Sequence, residues 1–445
     1  MASSYRTAPA ATRRLPPGIP YIVGNEAAER FSYYGMRTIL VIFMTRYLRA
    51  ADGSIDPMSE ADALGYYHIF SSAVYFFPLM GALLADLFLG KYRTILLLSI
   101  VYCLGHLALA LDETRAGLAV GLTLIAIGSG GIKPCVSAHV GDQFGESNRH
   151  LLQRVFGWFY FAINLGAFAS SLLTPWLLHN VGAHAAFGVP GLLMLLASWV
   201  FWLGRGRFVH IPAGGREFLS ELRAALGQGI LLRLGVIYAF VAVFWSLYDQ
   251  TGSAWVLQAE QMDRHFLGVE WYSSQIQAIN PVLIMVFIPL FSYVVYPAID
   301  GVFPLTALRK IGIGLFLTVV SFLVPLWIES RIAVGLVPNI AWQLLAYVIL
   351  TAAEVFVSIT CLEFSYTQAP RMMKSVIMSL YLLSVSAGNL FTSAVNFTIA
   401  AVDEGGRLSG TGYYAFFSAI MLVTALAFVL VARGYREQAY LQPEA

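Results

Sequence analysis

The chain has 445 residues, of which 58% are hydrophobic and only 12% charged, with a formal net charge of +2. A soluble domain carries about 25% charged residues, so this composition excludes an ordinary soluble globular protein. Long continuous apolar runs, without the two-residue alternation of barrel strands, indicate a polytopic α-helical membrane protein.

Taken in chain order, the length criterion of about 20 apolar residues gives twelve spans. Their expected limits are 20–48, 62–88, 92–111, 116–140, 151–178, 184–204, 229–258, 269–296, 302–327, 336–366, 372–401 and 411–432. The connections alternate in charge. Arg13, Arg14, Lys91, Arg93, Arg205, Arg207, Arg309, Lys310, Arg371 and Arg433 fall on one side, and Asp52, Asp56, Asp112, Glu260, Glu329, Asp403 and Glu404 on the other. The positive-inside rule then places both termini in the cytoplasm of a plasma (inner) membrane, as an even span count requires. No cleavable signal peptide is expected, because the polar N-terminus with Pro16-Pro17 has no short apolar core. Cys103, Cys135 and Cys361 fall within spans and read as free, packed thiols; no metal set or other cofactor is expected.

The first span holds the strongest signal, Glu26-Ala-Ala-Glu-Arg-Phe-Ser-Tyr-Tyr-Gly35. Glu26, Glu29, Arg30, Tyr33 and Arg37 follow one another at helical steps of three and four. Charge at bilayer depth is costly unless paired or hydrated, so that face should line a polar cavity. The second span carries His68, an imidazole suited to titrate at working pH, and ends in Gly81-Ala-Leu-Leu-Ala-Asp-Leu-Phe-Leu-Gly-Lys-Tyr-Arg93. Span four contains Gly128-Ser-Gly-Gly-Ile-Lys-Pro134: small residues for close packing, a proline to kink the helix, and Lys133. Span five offers Asn164, and span seven Asp249 within Phe244-Trp-Ser-Leu-Tyr-Asp-Gln250. Span ten offers Glu354, with Glu363 about 13 Å further along at a rise of 1.5 Å per residue. Asp249 and Arg37 fall at similar depth and can form a pair. His106 and His139 read as structural.

A basic connection over 205–228 divides the chain into an N-terminal segment 1–19, a six-helix bundle 20–204, a second bundle 229–432 and a tail 433–445. Residues 216–228 fit an amphipathic helix on the inner leaflet or a charged linker with one short helix. Two six-helix halves around a midplane site is the layout of the major facilitator superfamily, whose shared loop motif the Gly81–Arg93 stretch resembles. Cations (Arg30, Arg37, Lys133) and anions (Glu26, Glu29, Asp249, Glu354) in the two halves suit a zwitterion. No metal-ligand spacing, nucleophile elbow or phosphate loop suggests an enzyme, no filter repeat suggests a channel, and no nucleic-acid partner is expected.

Four elements in order, E-x-x-E-R-F-x-Y-Y-G, G-x-G-G-I-K-P with Asp142-Gln-Phe144, F-Y-F-x-I-N-x-G, and A-E-x-x-x-S-x-x-x-L-E-F-S-Y-x-Q-A-P, resemble the proton-dependent oligopeptide transporter family over roughly residues 26–389. The last run and His68 look closest to the animal members. The resemblance implies proton-coupled uptake of di- and tripeptides across the lipid bilayer by alternating access. It implies proton coupling at Glu26, Glu29, Arg30 and His68, and attraction of the peptide carboxylate by Arg30 and Lys133. Glu354, helped by Asn164 and Asn280, would hold the amino terminus or backbone. Tyr33, Tyr34, Tyr75 and Trp245 would line side-chain pockets, and Arg37 and Asp249 would close the outer gate. The alternative is a proton-coupled transporter of nitrate or another small anion on the same fold; Glu354 argues against a purely anionic substrate. The chain departs from the family pattern at Ala167 (often Ser), at Tyr381 (often Trp in bacterial members), and at His139 and Val140. The connection near 205–228 is too short for the two extra helices of many bacterial members, and the loop around 329–338 too short for the large outer domain of the animal ones.

Overall fold

A computed structural model describes residues 5–215, 230–368, 374–402 and 409–435. The expected amphipathic segment 216–228, the basic Arg371, the acidic Asp403 and Glu404 and the end of the tail lie outside the described residues. The chain is almost entirely helical. In order, α1 is Ile19–Ile42, α2 Glu60–Leu84, α3 Lys91–Leu111, α4 Arg115–Asp142, α5 Leu152–Asn180 and α6 Ala183–Leu203. The second series is α7 Ile230–Tyr248, α8 Ile279–Leu290, α9 Ala307–Ile332, α10 Ala341–Glu354, α11 Lys374–Val402 and α12 Thr411–Gly434. Eleven of the described helices, with their short extensions, are long and apolar enough to cross a membrane. The twelfth is α1, whose Glu26, Glu29, Arg30 and Arg37 lower its hydropathy.

Several spans are interrupted. A π turn ends α1 at Phe43–Tyr47 and α2 at Ala85–Leu89; others follow α8 at Phe291–Val295 and α10 at Val355–Ile359, after which a helix resumes over Thr360–Gln368. The span read as continuous over 229–258 is broken: α7 stops at Tyr248, a 3-10 turn covers Asp249–Gly252, and a short helix follows at Ala254–Glu260. Residues 265–270, partly assigned to the eighth span by hydropathy, instead form a hairpin. Here β1 (His265–Phe266) pairs antiparallel with β2 (Val269–Glu270). Its two turn residues, Leu267 and Gly268, both have positive φ, which matches the twist of a tight hairpin. The ninth helix starts at Ala307 rather than near 302 because the Thr306 hydroxyl accepts from the Arg309 amide at 3.4 Å and caps it.

The Cα positions group into two compact units. The first holds Met1–Met58 and Ala73–Ser220; the second holds Ser59–Ser72 and Glu221–Ala445. The first part of α2, with His68, therefore groups with the C-terminal helices. Within the first unit α1 packs on α5 and α6, and α3 on α4 and α6. Close approach depends on glycine: a Cβ at Gly81 would overlap the Gly131 carbonyl. Within the second unit α7 packs on α11, and a Cβ at Gly388 would overlap the Ala242 carbonyl of α7. Cys103, Cys135 and Cys361 are free thiols.

Gly388→Val should therefore destabilise the second unit by ~1–3 kcal/mol or more through overpacking, read as a lower apparent melting temperature in detergent. Gly235→Ala, where no atom beyond its own helical turn lies within 4 Å of the new Cβ, is the control and should leave the transition within about a degree or two, since surface changes stay near ±0.5 kcal/mol.

Candidate functional site

In the first unit the charged face of α1 forms one compact cluster. Arg30 Nε donates to Glu26 Oε1 at 2.7 Å and lies 3.2 Å from Glu29 Oε2. Both carboxylates are about 1% exposed. Helical spacing supplies the two contacts, since residues one and four positions before Arg30 flank its guanidinium. The other Glu29 oxygen, Oε1, accepts from Ser129 Oγ of α4 at 2.7 Å. Ser129 lies within the glycine-rich run of α4, where Gly128 and Gly130 bring α3 and α2 close. One face further, Ser32 Oγ donates to the Pro190 carbonyl of α6 at 2.6 Å. The helix is thus anchored on both sides of its charges.

Lys133 is handled differently. Its ammonium sits 4.3 Å from the centroid of the Tyr33 ring and 4.4 Å from that of Tyr75. Two aromatic faces offset part of its desolvation by cation–π attraction. Tyr34 packs edge-on against Tyr33 at 5.2 Å. The structure therefore brings Glu26, Glu29, Arg30, Tyr33, Tyr34, Tyr75 and Lys133 into one neighbourhood. Arg37 lies two turns on from Arg30 along α1 and is largely buried. Asn164 is buried, and its amide nitrogen is spent on the Tyr160 carbonyl of its own helix at 2.9 Å, leaving its oxygen as the group to face a ligand. The loop motif after α2 is tied by an ion pair from Lys91 to Asp142 at 2.8 Å.

In the second unit Glu354 ends α10 where the π turn begins. Asn280 Nδ2 of α8 donates to Glu354 Oε2 at 2.9 Å and to Thr351 Oγ1 at 3.1 Å. The Tyr248 hydroxyl is a second donor to Glu354. Both donors are neutral. Trp245 packs edge-on against Phe244 and Tyr248, each at 5.1 Å. Tyr381, at the departure noted in the sequence, has its hydroxyl 3.1 Å from Ser358 Oγ in the π turn.

His68 is fully buried in the second unit, with Nδ1 2.8 Å from Asn389 Oδ1 and Nε2 2.9 Å from Ser253 Oγ. Asn389 Nδ2 in turn donates to Asp249 Oδ2 at 2.6 Å. His68, Asn389 and Asp249 thus form one chain of hydrogen bonds. Sequence reasoning missed Asn389 and Ser253 as partners. Asn389 carried a signal, one of two amides a helical heptad apart with Asn396 in an apolar span, but its partners lie 321 and 140 residues away.

Helices broken beside charged groups, paired buried carboxylates and cations on aromatic faces mark a polytopic membrane protein with a buried polar site. The comparisons make the assignment specific. The model of the POT family (PTR2) matches residues 92–226 and 227–410, and the chain belongs to that family. It is 37% identical over 366 residues to Peptide transporter family 1 of Drosophila melanogaster, covering 71% of this chain and 48% of that protein. It is similar to the POT family transporter PepTSo solved in meso (39% identical, TM-score 0.87) and to an auto inhibited POT family peptide transporter (36% identical, TM-score 0.87). Each comparison covers 96% of this chain and 99% of the other. The chain spans about half the length of the curated relatives it matches.

Asn389→Ala should remove one hydrogen-bond partner from His68 and one from Asp249. A net buried hydrogen bond is worth ~0.5–1.5 kcal/mol, and more to a charged group, so the apparent melting temperature should fall. Asn389→Asp keeps one acceptor for His68 but sets a second carboxylate beside Asp249, and its stability should improve as pH falls, checked by melting curves from pH 8 to pH 5.

Proposed function

We propose that this protein is a proton-coupled symporter that imports di- and tripeptides by alternating access. The peptide carboxylate points toward Arg30 and Lys133, and the amino terminus toward Glu354. Tyr33, Tyr34, Tyr75 and Trp245 contact substrate side chains, with Asn164 and Asn280 as polar auxiliaries. Arg37 and Asp249 act at a gate. The protein sits in the plasma (inner) membrane with both termini cytoplasmic, following the excess of Arg and Lys in alternate connections.

The carrying observation is Glu354, a carboxylate within a membrane span whose donors are the neutral amide of Asn280 and phenol of Tyr248. Such a group suits an incoming ammonium, which a nitrate-type anion does not provide. The names of the relatives agree, since both the insect protein and the solved neighbours are described as peptide or POT family transporters. Coupling follows from the first unit. Protonation of Glu26 or Glu29 loosens one of the two holds on Arg30, which then attracts the peptide carboxylate. Proton and peptide binding favour each other, a reciprocal coupling.

Uptake into proteoliposomes tests the reading. An inward proton gradient should drive a labelled dipeptide above equilibrium, and a protonophore should abolish the accumulation; accumulation that ignores the protonophore contradicts coupling. Glu354→Gln should weaken binding of an unmodified dipeptide about 10- to 100-fold, since a charge-assisted hydrogen bond contributes ~1.5–3 kcal/mol, while an N-acetylated dipeptide should be indifferent. Glu29→Gln should lose gradient-driven accumulation yet keep peptide exchange at equal pH. Normal accumulation in Glu29→Gln moves the coupling group elsewhere, with His68 the next to substitute.

A further inference from the structure

Away from the charged clusters, the second unit has a groove of about 840 Å³ where the start of α9 meets the end of α12. Its interior is apolar, lined by the half-buried Ile313 and Phe316 of α9 and backed by the buried Phe428 of α12. Its mouth carries Arg309, in the first turn of α9, and Arg433, in the last turn of α12. Among the described residues, no lining side chain is acidic. The Arg309 guanidinium lies 4.2 Å from the Phe303 ring centroid and donates to the Pro304 carbonyl, which fixes it at the rim. Both arginines are exposed.

The vertical order of these groups is informative. Arg309 and Arg433 stand at helix ends, at the level of lipid headgroups, while Phe316 and Phe428 lie one to two turns deeper, at the level of acyl chains. Arginine forks match phosphate oxygens, and basic pockets between membrane helices on the cytoplasmic side suit anionic headgroups. A free phosphate uses only the rim and leaves the aromatic floor unfilled. We propose that this groove is a binding site for one anionic glycerophospholipid, its phosphate held by Arg309 and Arg433 and an acyl chain lying along Ile313 and Phe316. Charge complementarity and this apolar depth select the occupant, and the inference stands independently of the peptide-transport reading.

The test uses the full chain, purified and stripped of lipid, then titrated with palmitoyl-oleoyl phosphatidylglycerol or phosphatidylcholine and read by native mass spectrometry. Phosphatidylglycerol should be retained about tenfold better than phosphatidylcholine, and R309Q/R433Q should erase that preference. Gly312→Leu fills the groove from within. Its Cβ would meet a Phe428 ring carbon at 3.6 Å, an ordinary contact, so the variant should fold and hold both lipids poorly. Equal retention by the wild type and R309Q/R433Q overturns the proposal. So does displacement of the lipid by millimolar glycerol 3-phosphate, which assigns the site to a free phosphate. Lipid capture only after removal of residues 436–445 overturns it as well, because the occupant is then the chain's own tail.

Discussion

The ion pair of Arg30 with Glu26 and Glu29 is the constraint around which the first unit is arranged. An ionised side chain at the centre of a membrane helix costs ~2.5–3.5 kcal/mol on insertion scales, and α1 carries four within 24 residues. The helix therefore needs protein on most of its circumference. Gly166 of α5 supplies one contact, its backbone so near α1 that a Cβ would lie 3.0 Å from the Phe31 nitrogen. Ser129 of α4 supplies another, through Glu29. Ser32 bonded to Pro190 and Thr174 bonded to the Gly35 carbonyl at 2.9 Å complete the ring. Small residues and hydroxyls here allow neighbours close enough to exclude lipid from the charges.

The second unit meets the same constraint by breaking helices. Glu354 stands at the junction with a π turn, and Asp249 opens the 3-10 turn that interrupts the seventh span. Irregular backbone within a membrane is tolerated only where it is buried in protein or lines a polar cavity. Both breaks satisfy that rule through side-chain amides: Asn280 reaches Glu354 and Asn389 reaches Asp249. An amide offers a donor to the carboxylate and an acceptor elsewhere, and Asn389 uses both, linking Asp249 to His68.

Much of this was legible in the sequence because it is local. Hydropathy runs located most of the helices to within a few residues, and the steps of three and four in α1 placed Glu26, Glu29 and Arg30 on one face. Misplaced ends had local causes too: Val269 and Glu270, read into the eighth span, belong to the hairpin, and the Thr306 cap overrode an apolar run beginning at Val302. The π turns left no composition signal, since a single widened turn uses the same apolar residues as its helix. Long-range partners were equally silent. Nothing near His68 announces Ser253, 185 residues away, and its place in the second unit could not be read from a sequence position between the first and third spans.

The contrast between Arg30 and Lys133 bears on how a proton and an anion can act together. Arg30 is held by two carboxylates, whereas Lys133 rests on the faces of Tyr33 and Tyr75. With Glu26 and Glu29 ionised, these four residues sum formally to zero charge. Neutralising either glutamate leaves a surplus of one positive charge, in a setting of low dielectric where such a surplus attracts an anion strongly. The aromatic cradle matters here, because a ring stabilises Lys133 without cancelling its charge. On the proposed reading, two cations against two carboxylates is the charge count by which one proton would summon one peptide carboxylate.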